Sequence, residues 1–403
     1  MSEPTCIIQP AITVPRFLKQ EIIAKLAYVD PLVAHVRWHD GDTLLFRLRR
    51  TPEDQERLSL LDKVQRTLTL LVTTTREPPV KILEDRMDQP LRHAQDPMGA
   101  LMDGGHVFQT GDGMYSLGPR VASLCRYFEE RLFALGMSVG GQVYRFPAMI
   151  PARFLEKIHY FKNFPHSLGF VAHLKEDLDI IERFARETRC TENTLFQPHG
   201  SFSRVQNLLS PTVCHNFYLM LSGRTLGEKP MIATAHGNCF RYESINMHSL
   251  ERLWNFTMWE VIFVGSSREV KELLTGAGQK TSAFLQELGL AYRLENANDP
   301  FFIREFGSQS GFQQIYELKY EYRALLPFKN ETLSIGSRNY HIDFFGRGVE
   351  ISLADGSPAH SGCIGLGLER LAFAFLAQFG INPDHWPAQV RAGTHDMEGR
   401  SSR

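Results

Sequence analysis

AHGNCFRYESINMHSLERLWNFTMWEVIFVG, residues 235–265, reads as a strand, a polar turn and a second strand. In the first strand Arg241 and Glu243 are two apart and fall on one face. In the second, Phe256 and Glu260 are four apart, share a face and span roughly 13 Å at strand rise. A cation, a carboxylate, an aromatic plate and a second carboxylate on a twisted sheet can hold a polyanion that carries a flat base. Such a set makes a nucleoside triphosphate site without a glycine-rich loop. The same text also reads as an ordinary two-stranded edge with a solvated charged turn, and the stretch alone leaves both readings open.

A second stretch narrows the choice. In CIGLGLERLAFAFL, residues 363–376, Gly365, Gly367 and Arg370 form a Gly-x-Gly-x-x-Arg turn from strand to helix. The helix carries an apolar side of Leu368, Leu371, Ala372 and Phe375 and closes at Gly380. Phe240, Arg241 and Glu243, followed by Arg252, Phe256 and Glu260, resemble the second motif of class II aminoacyl-tRNA synthetases, and the glycine turn resembles the third. The resemblance implies an α/β (α+β) fold, an antiparallel sheet flanked by helices, over residues 95–390. It implies ATP bound with Mg2+ by Arg241, Glu243, Arg252, Phe256 and Arg370. Arg241 and Arg370 would be the catalytic pair: Arg241 across the substrate carboxylate and α-phosphate, Arg370 on the γ-phosphate and adenine, with Phe256 stacked opposite.

The cysteines give no metal site by spacing. Cys6, Cys125, Cys190, Cys214, Cys239 and Cys363 are scattered, with no CxxC pair. Within the class II resemblance, methanogen-type seryl-tRNA synthetases and the related amino acid:carrier protein ligases bind zinc through Cys…Glu…Cys. Cys214, Glu260 and Cys363 stand at those three positions, which implies a Zn2+ with one open position for the substrate amine. Cys239 is the internal rival, because it alternates onto the face of Arg241 and Glu243. His215, His236, His341 and His360 are read as residues that hydrogen-bond beside the site.

LSIGSRNYHIDFFG places Ser337, Asn339 and His341 on one face of a strand, as the lining of an aminoacyl pocket. Seryl-tRNA synthetases carry a Mg2+-holding Glu on this strand; Ser334 stands there instead, and Glu243, Glu331 and Glu350 are left as unranked alternatives. The block Asn298-Asp299-Pro300-Phe301-Phe302, with Gln313, Lys319 and Glu321, resembles the carrier protein ligases. Arg145-Phe146-Pro147 and the aromatic run after it stand where the first, dimer-forming motif of the class would be.

Residues 1–85 read as a small αβ extension: a helix around residues 17–29, a hairpin turning at Asp40-Gly41, a second helix opened by Thr51-Pro52, and a return strand in VKILEDR. Twelve Lys/Arg balance twelve Asp/Glu there, so it is not a basic arm for nucleic acid. Arg47, Arg49 and Arg50 read as a solvated strand end. The tail after residue 390 is polar and reads as disordered.

With 43% hydrophobic and 22% charged residues the chain is globular, and its 403 residues exceed one compact domain. The opening MSEPTCIIQPAITVPR lacks a basic start, and no apolar run reaches the ~20 residues of a membrane span. A cytoplasmic protein with reduced thiols is expected. The net charge of −1 supplies no bulk attraction to nucleic acid. The expected function is activation of a small amino acid as its adenylate and transfer to the phosphopantetheine thiol of a holo carrier protein, by a homodimer. Transfer to tRNA, as in the atypical seryl enzymes, ranks second. A catalytically silent amino acid- or nucleotide-binding paralogue ranks third.

Overall fold

The computed structural model describes residues 4–75, 80–247, 249–297 and 318–401. At its centre is an eight-stranded sheet. In spatial order its strands are Ile82–Asp85, Tyr292–Asn296, Lys319–Leu326, Glu331–Ile342, His360–Gly367, Asn255–Gly265, Met231–Phe240 and Gln142–Val143. Neighbours are antiparallel except the last pair, which is parallel.

Alternation sets the two faces of this sheet. Trp259, Val261 and Phe263 point one way and are fully buried, while Phe256, Met258, Glu260 and Ile262 point the other. The Trp259 indole is satisfied inside the core, donating to Thr234 Oγ1 at 2.9 Å. Helices Pro119–Ser138, Ser267–Glu287 and Leu368–Phe379 contribute Phe128, Leu132, Phe284, Leu371 and Phe375 to the core on the tryptophan side. The second helix starts with a reciprocal cap, since Ser266 and Glu269 each bond the other's backbone amide. The expected architecture, an antiparallel sheet with helices on it, is present.

A second apolar cluster, including Ile150, Phe154, Phe217, Tyr218 and Phe345, also takes in Cys214 and Cys363. The expected strand, turn and strand of residues 235–265 form as Met231–Phe240 and Asn255–Gly265. The first strand stops at Phe240, however, so Arg241 and Glu243 lie in the loop rather than on the strand face. Arg241 N still donates to Trp254 O at 2.9 Å and ties the two ends of that loop together.

The N-terminal unit is a three-stranded sheet in the order Thr5–Ile8, Thr43–Leu48, Val33–His39, packed on helices Lys19–Leu26 and Asp54–Thr74. Its core of Ile22, Leu26, Leu44, Phe46, Val64 and Leu68 is separate from the other clusters. The hairpin turns where expected: Asp40 and Gly41 have φ of 49° and 80°, as a tight turn between twisted strands requires. Glu53 and Glu56 cap the longer helix, and Arg50 holds both carboxylate oxygens of Glu56, at 2.7 and 2.6 Å.

Two expectations are corrected here. Residues 82–85 do not return to the N-terminal sheet. They pair with Tyr292–Asn296 on the edge of the large one, where Glu84 accepts from Tyr292 Oη at 2.7 Å. The tail is not disordered through residue 401. Helix Ala388–Ser401 seats Val390 and Thr394 in the interior. Val390 and Thr394 alone among the described side chains of this helix are buried, which leaves little apolar period for a sequence reading to detect. The Asn298–Phe302 block and Gln313 lie outside the described residues.

Candidate active site

Cys214, Glu260 and Cys363 come together on the face opposite Trp259. Their ligand atoms all lie within 4.8 Å of one another, and all three residues are buried. The sheet register explains two of them. Glu260 pairs with Gly365 on the neighbouring strand, two residues from Cys363, so carboxylate and thiol are diagonal neighbours on one face. Gly365 makes room for this, because a Cβ there would stand 3.0 Å from Glu260 Cγ and 2.9 Å from Met258 Cε. Cys214 arrives separately, on the first turn of helix Cys214–Leu221.

The carboxylate of Glu260 is held from that helix side. Its Oε1 accepts from Thr212 Oγ1 at 2.7 Å and from the Val213 amide at 3.3 Å, and its Oε2 from the Cys214 amide at 3.1 Å. Burial, then the neighbouring Cys363, push the Glu260 carboxyl up to about 7. The two thiols are pushed in opposite directions. Cys214 is held well above the ordinary thiol value by its bond to Cys363 and by burial. Cys363 is held well below it, first as acceptor from Cys214 and then by His341 and Asn339. Asn339 Nδ2 lies 3.6 Å from the Cys363 sulfur and His341 Nε2 lies 4.0 Å away.

Ser337 and Asn339 extend the same face. Ser337 stands beside Gly365 and Asn339 beside Cys363, and Asn339 Nδ2 donates to Ser337 Oγ at 2.9 Å. His341 falls at a bulge between Tyr340 and Ile342, which turns its ring toward Tyr218 Oη and Ser361 Oγ, each 3.3 Å from Nδ1. The other histidines serve elsewhere. His215 is enclosed by Phe154, Tyr160 and Phe345, and burial pushes its imidazole down to about 3. His236 Nδ1 lies against a carboxylate oxygen of Glu129, and His360 Nδ1 bonds Tyr340 Oη at 2.6 Å. Cys239 is fully buried with Val213 and Ala235 and takes no place in the donor cluster.

The five residues of the expected ATP set surround the loop that joins the two strands. Glu243 and Arg252 form an ion pair. Against the desolvation of its burial, Arg252 and then Arg370 hold the Glu243 carboxyl below the usual carboxylate range. The guanidinium over the Phe256 ring is that of Arg241, 5.3 Å from the centroid, and its Nε donates to Pro211 O at 2.9 Å. Arg370 is anchored by Nε to Glu251 O at 2.7 Å and by Nη1 to Ser334 O at 3.2 Å. Glu331 and Glu350 sit near lysines with side chains 51% and 75% exposed, which leaves Glu243 as the one of the three alternative carboxylates set among guanidiniums.

The sequence reading missed Thr212 and Tyr218. Thr212 was in plain view two residues before Cys214, and its hydroxyl was the available signal. It also undervalued the outer strands. Lys319, Glu321, Arg323, Glu295 and Arg293 form a chain of ion pairs at 2.6–3.2 Å, in which Glu321 stands opposite Ser337.

The sheet, the strand-to-helix turn and the loop of guanidiniums define a class II synthetase core. The family model for the tRNA synthetase class II core domain (G, H, P, S and T) matches residues 203–379. A Bradyrhizobium diazoefficiens protein, amino acid–[acyl-carrier-protein] ligase 1, is 32% identical over 304 residues, 73% of this chain and 89% of that protein. The chain belongs to the amino acid–carrier protein ligase family of class II synthetase-like proteins. The type-2 serine–tRNA ligase of Methanopyrus kandleri is 23% identical over 399 residues, covering 93% of this chain and 75% of that one. A solved structure, M. kandleri SerRS with A. aeolicus tRNASec, has a TM-score of 0.71 at 22% identity and covers 98% of this chain and 78% of its own, a likeness of fold. No helix among the described residues is long and apolar enough to cross a membrane.

Proposed function

We propose that the protein activates a small amino acid with ATP as the aminoacyl-adenylate and passes it to the phosphopantetheine thiol of a carrier protein. The observation that carries this reading is the buried Cys214, Glu260 and Cys363 cluster beside the guanidiniums of the ATP loop. Two sulfurs and one carboxylate oxygen suit Zn2+ better than Mg2+. Tetrahedral Zn–S bonds of roughly 2.3 Å place two sulfurs about 3.8 Å apart, so donors within 4.8 Å need little movement. Zinc held there would fix the substrate's amino group at its open position.

The remaining work falls to the chain. Ser337 and Asn339, beside Gly365 and Cys363, would face the substrate's side chain. Arg241 bridges the substrate carboxylate and the α-phosphate and offsets the charge of the in-line displacement. Arg370, locked by two backbone carbonyls, meets the γ-phosphate, and Phe256 offers its ring to the adenine. Arg252 keeps Glu243 ionised as an acceptor for the adenine amino group or a partner for Mg2+. The products of this step are adenylate and pyrophosphate, with no proton transfer required of a side chain.

The carrier protein is favoured as acceptor by the 32% identity to the Bradyrhizobium ligase and by a net charge of −1, since tRNA binding draws on many basic contacts. A tRNA acceptor keeps second place because the likeness to the Methanopyrus ligase runs over 93% of the chain and takes in the N-terminal unit. A homodimer in the cytoplasm is the family's arrangement and part of this proposal.

The deciding experiment is amino acid-dependent exchange of pyrophosphate into ATP across all twenty amino acids, with zinc content measured on the same sample. Exchange with one or two small amino acids and about one zinc per chain is the expected result. Acceptor assays with holo carrier protein and tRNA then separate the two acceptors. Nucleotide binding without exchange would favour the silent paralogue.

A further inference from the structure

The N-terminal unit has a core of its own, yet it is not free of the catalytic unit. Phe164 packs against its apolar cluster. Tyr28 reaches across and donates its hydroxyl to Tyr242 O at 2.9 Å. The Tyr28 ring also meets His166 edge-on, with centroids 5.3 Å apart and planes at 76°. On the catalytic side, Tyr242 N donates to Ser167 O at 3.0 Å, and the Tyr242 ring stands against Trp254, 5.0 Å away.

These contacts converge on one residue. Tyr242 lies between Arg241 and Glu243, and its carbonyl belongs to the peptide that leads into Glu243. Its amide is fixed by Ser167 from the catalytic side and its carbonyl by Tyr28 from the N-terminal side. From the N-terminal side Tyr28 thus holds the peptide that leads into Glu243, whose carboxylate pairs with Arg252.

We infer that the N-terminal unit is a built-in clamp on the nucleotide loop, and that Tyr28 is a positioning residue for ATP. The inference rests on the adenylation reading for its ligand, an adenine nucleoside triphosphate. It gives the N-terminal unit, residues 4–75, a task in the same chain's ATP site, separate from any acceptor. By reciprocity, ATP at the loop tightens the seating of the N-terminal unit.

The test is Tyr28→Phe in the full-length chain, which removes one hydroxyl and keeps the ring. Amide exchange of residues 241–254 is expected to quicken about fivefold, the effect of one net hydrogen bond. The KM for ATP should rise by a similar factor, with the KM for the amino acid and the zinc content unchanged. Trp38→Phe is the control, since it removes a bond internal to the N-terminal unit, Trp38 Nε1 to Lys19 O at 2.9 Å. Equal effects of both variants on the loop, or an unchanged loop and ATP KM in Tyr28→Phe, would overturn the clamp. If the wild type binds no ATP, the adenylation reading falls, and amide exchange alone decides between clamp and passive contact.

Discussion

Thr212 donates its hydroxyl to Glu260 at 2.7 Å, and Thr212 Oγ1 also lies 3.5 Å from the sulfur of Cys214. One side chain therefore orients two of the three donors. Thr212→Val keeps the shape and removes the hydroxyl. Zinc affinity, read by competition with a chromogenic chelator, should drop about 10- to 100-fold, the usual cost of losing a group that orients a metal ligand. Thr212→Ser should restore most of it.

Arg370 and Arg252 should separate kinetically. Arg370 is anchored by the Glu251 and Ser334 carbonyls, and in the proposed reaction it would meet the charge that develops on the phosphates. Arg370→Ala is expected to reduce the exchange rate by about 10²–10³-fold, the scale found for removing a preorganised charge-stabilising group. Arg252, with its side chain 44% exposed and paired to Glu243, would serve ATP binding in the proposed reaction. Arg252→Ala should raise the KM for ATP with a smaller change in kcat.

Gly365 lies on the strand of Cys363 and faces Glu260 on the neighbouring strand. A methyl group there meets Glu260 Cγ at 3.0 Å and Met258 Cε at 2.9 Å. Methionine can yield, but Glu260 is held by three hydrogen bonds. Gly365→Ala should displace the carboxylate, weaken metal binding and lower stability by roughly 1–3 kcal/mol, the range for overpacking. Thermal melts with and without chelator distinguish the two effects.

His166 makes the seating of the N-terminal unit sensitive to acid. It packs on Tyr28, and the charged groups facing it are Lys25 and Glu243. Burial, then Lys25, push its imidazole from 6.5 down to about 4. Between those values the unfolded or undocked chain binds more protons, so the docked state gains stability as pH rises. The contribution is complete above about pH 6.5 and is lost as pH falls through about 4. Proteolytic nicking of the N-terminal unit should increase from pH 7 toward pH 4.5, and His166→Phe should flatten that dependence.

Much of this was legible in the chain itself. Alternation in NFTMWEVIFVG and the Gly-x-Gly-x-x-Arg turn located the central strands and the helix that carries Arg370. What spacing could not supply was register. Glu260 and Cys363 become neighbours only because Glu260 pairs with Gly365, and no local period encodes that pairing. Their grouping came from family resemblance. The docking of Tyr28 on Tyr242, 214 residues away, was invisible for the same reason. Arg241 and Glu243 were placed on a strand because the alternation runs past Phe240, where the chain in fact bends to meet Ser167 and Tyr28.

The three donors also record the history of the chain. Cys214 opens a helix, Glu260 sits in the middle of a strand, and Cys363 lies on another strand far along the chain from both. No partial chain lacking that last strand can assemble the set. A metal ion captured there would arrive late, and would close long loops whose entropy the unfolded chain could no longer recover. On the proposed zinc reading, loading would act as an inspection step, in which only a completed central sheet passes.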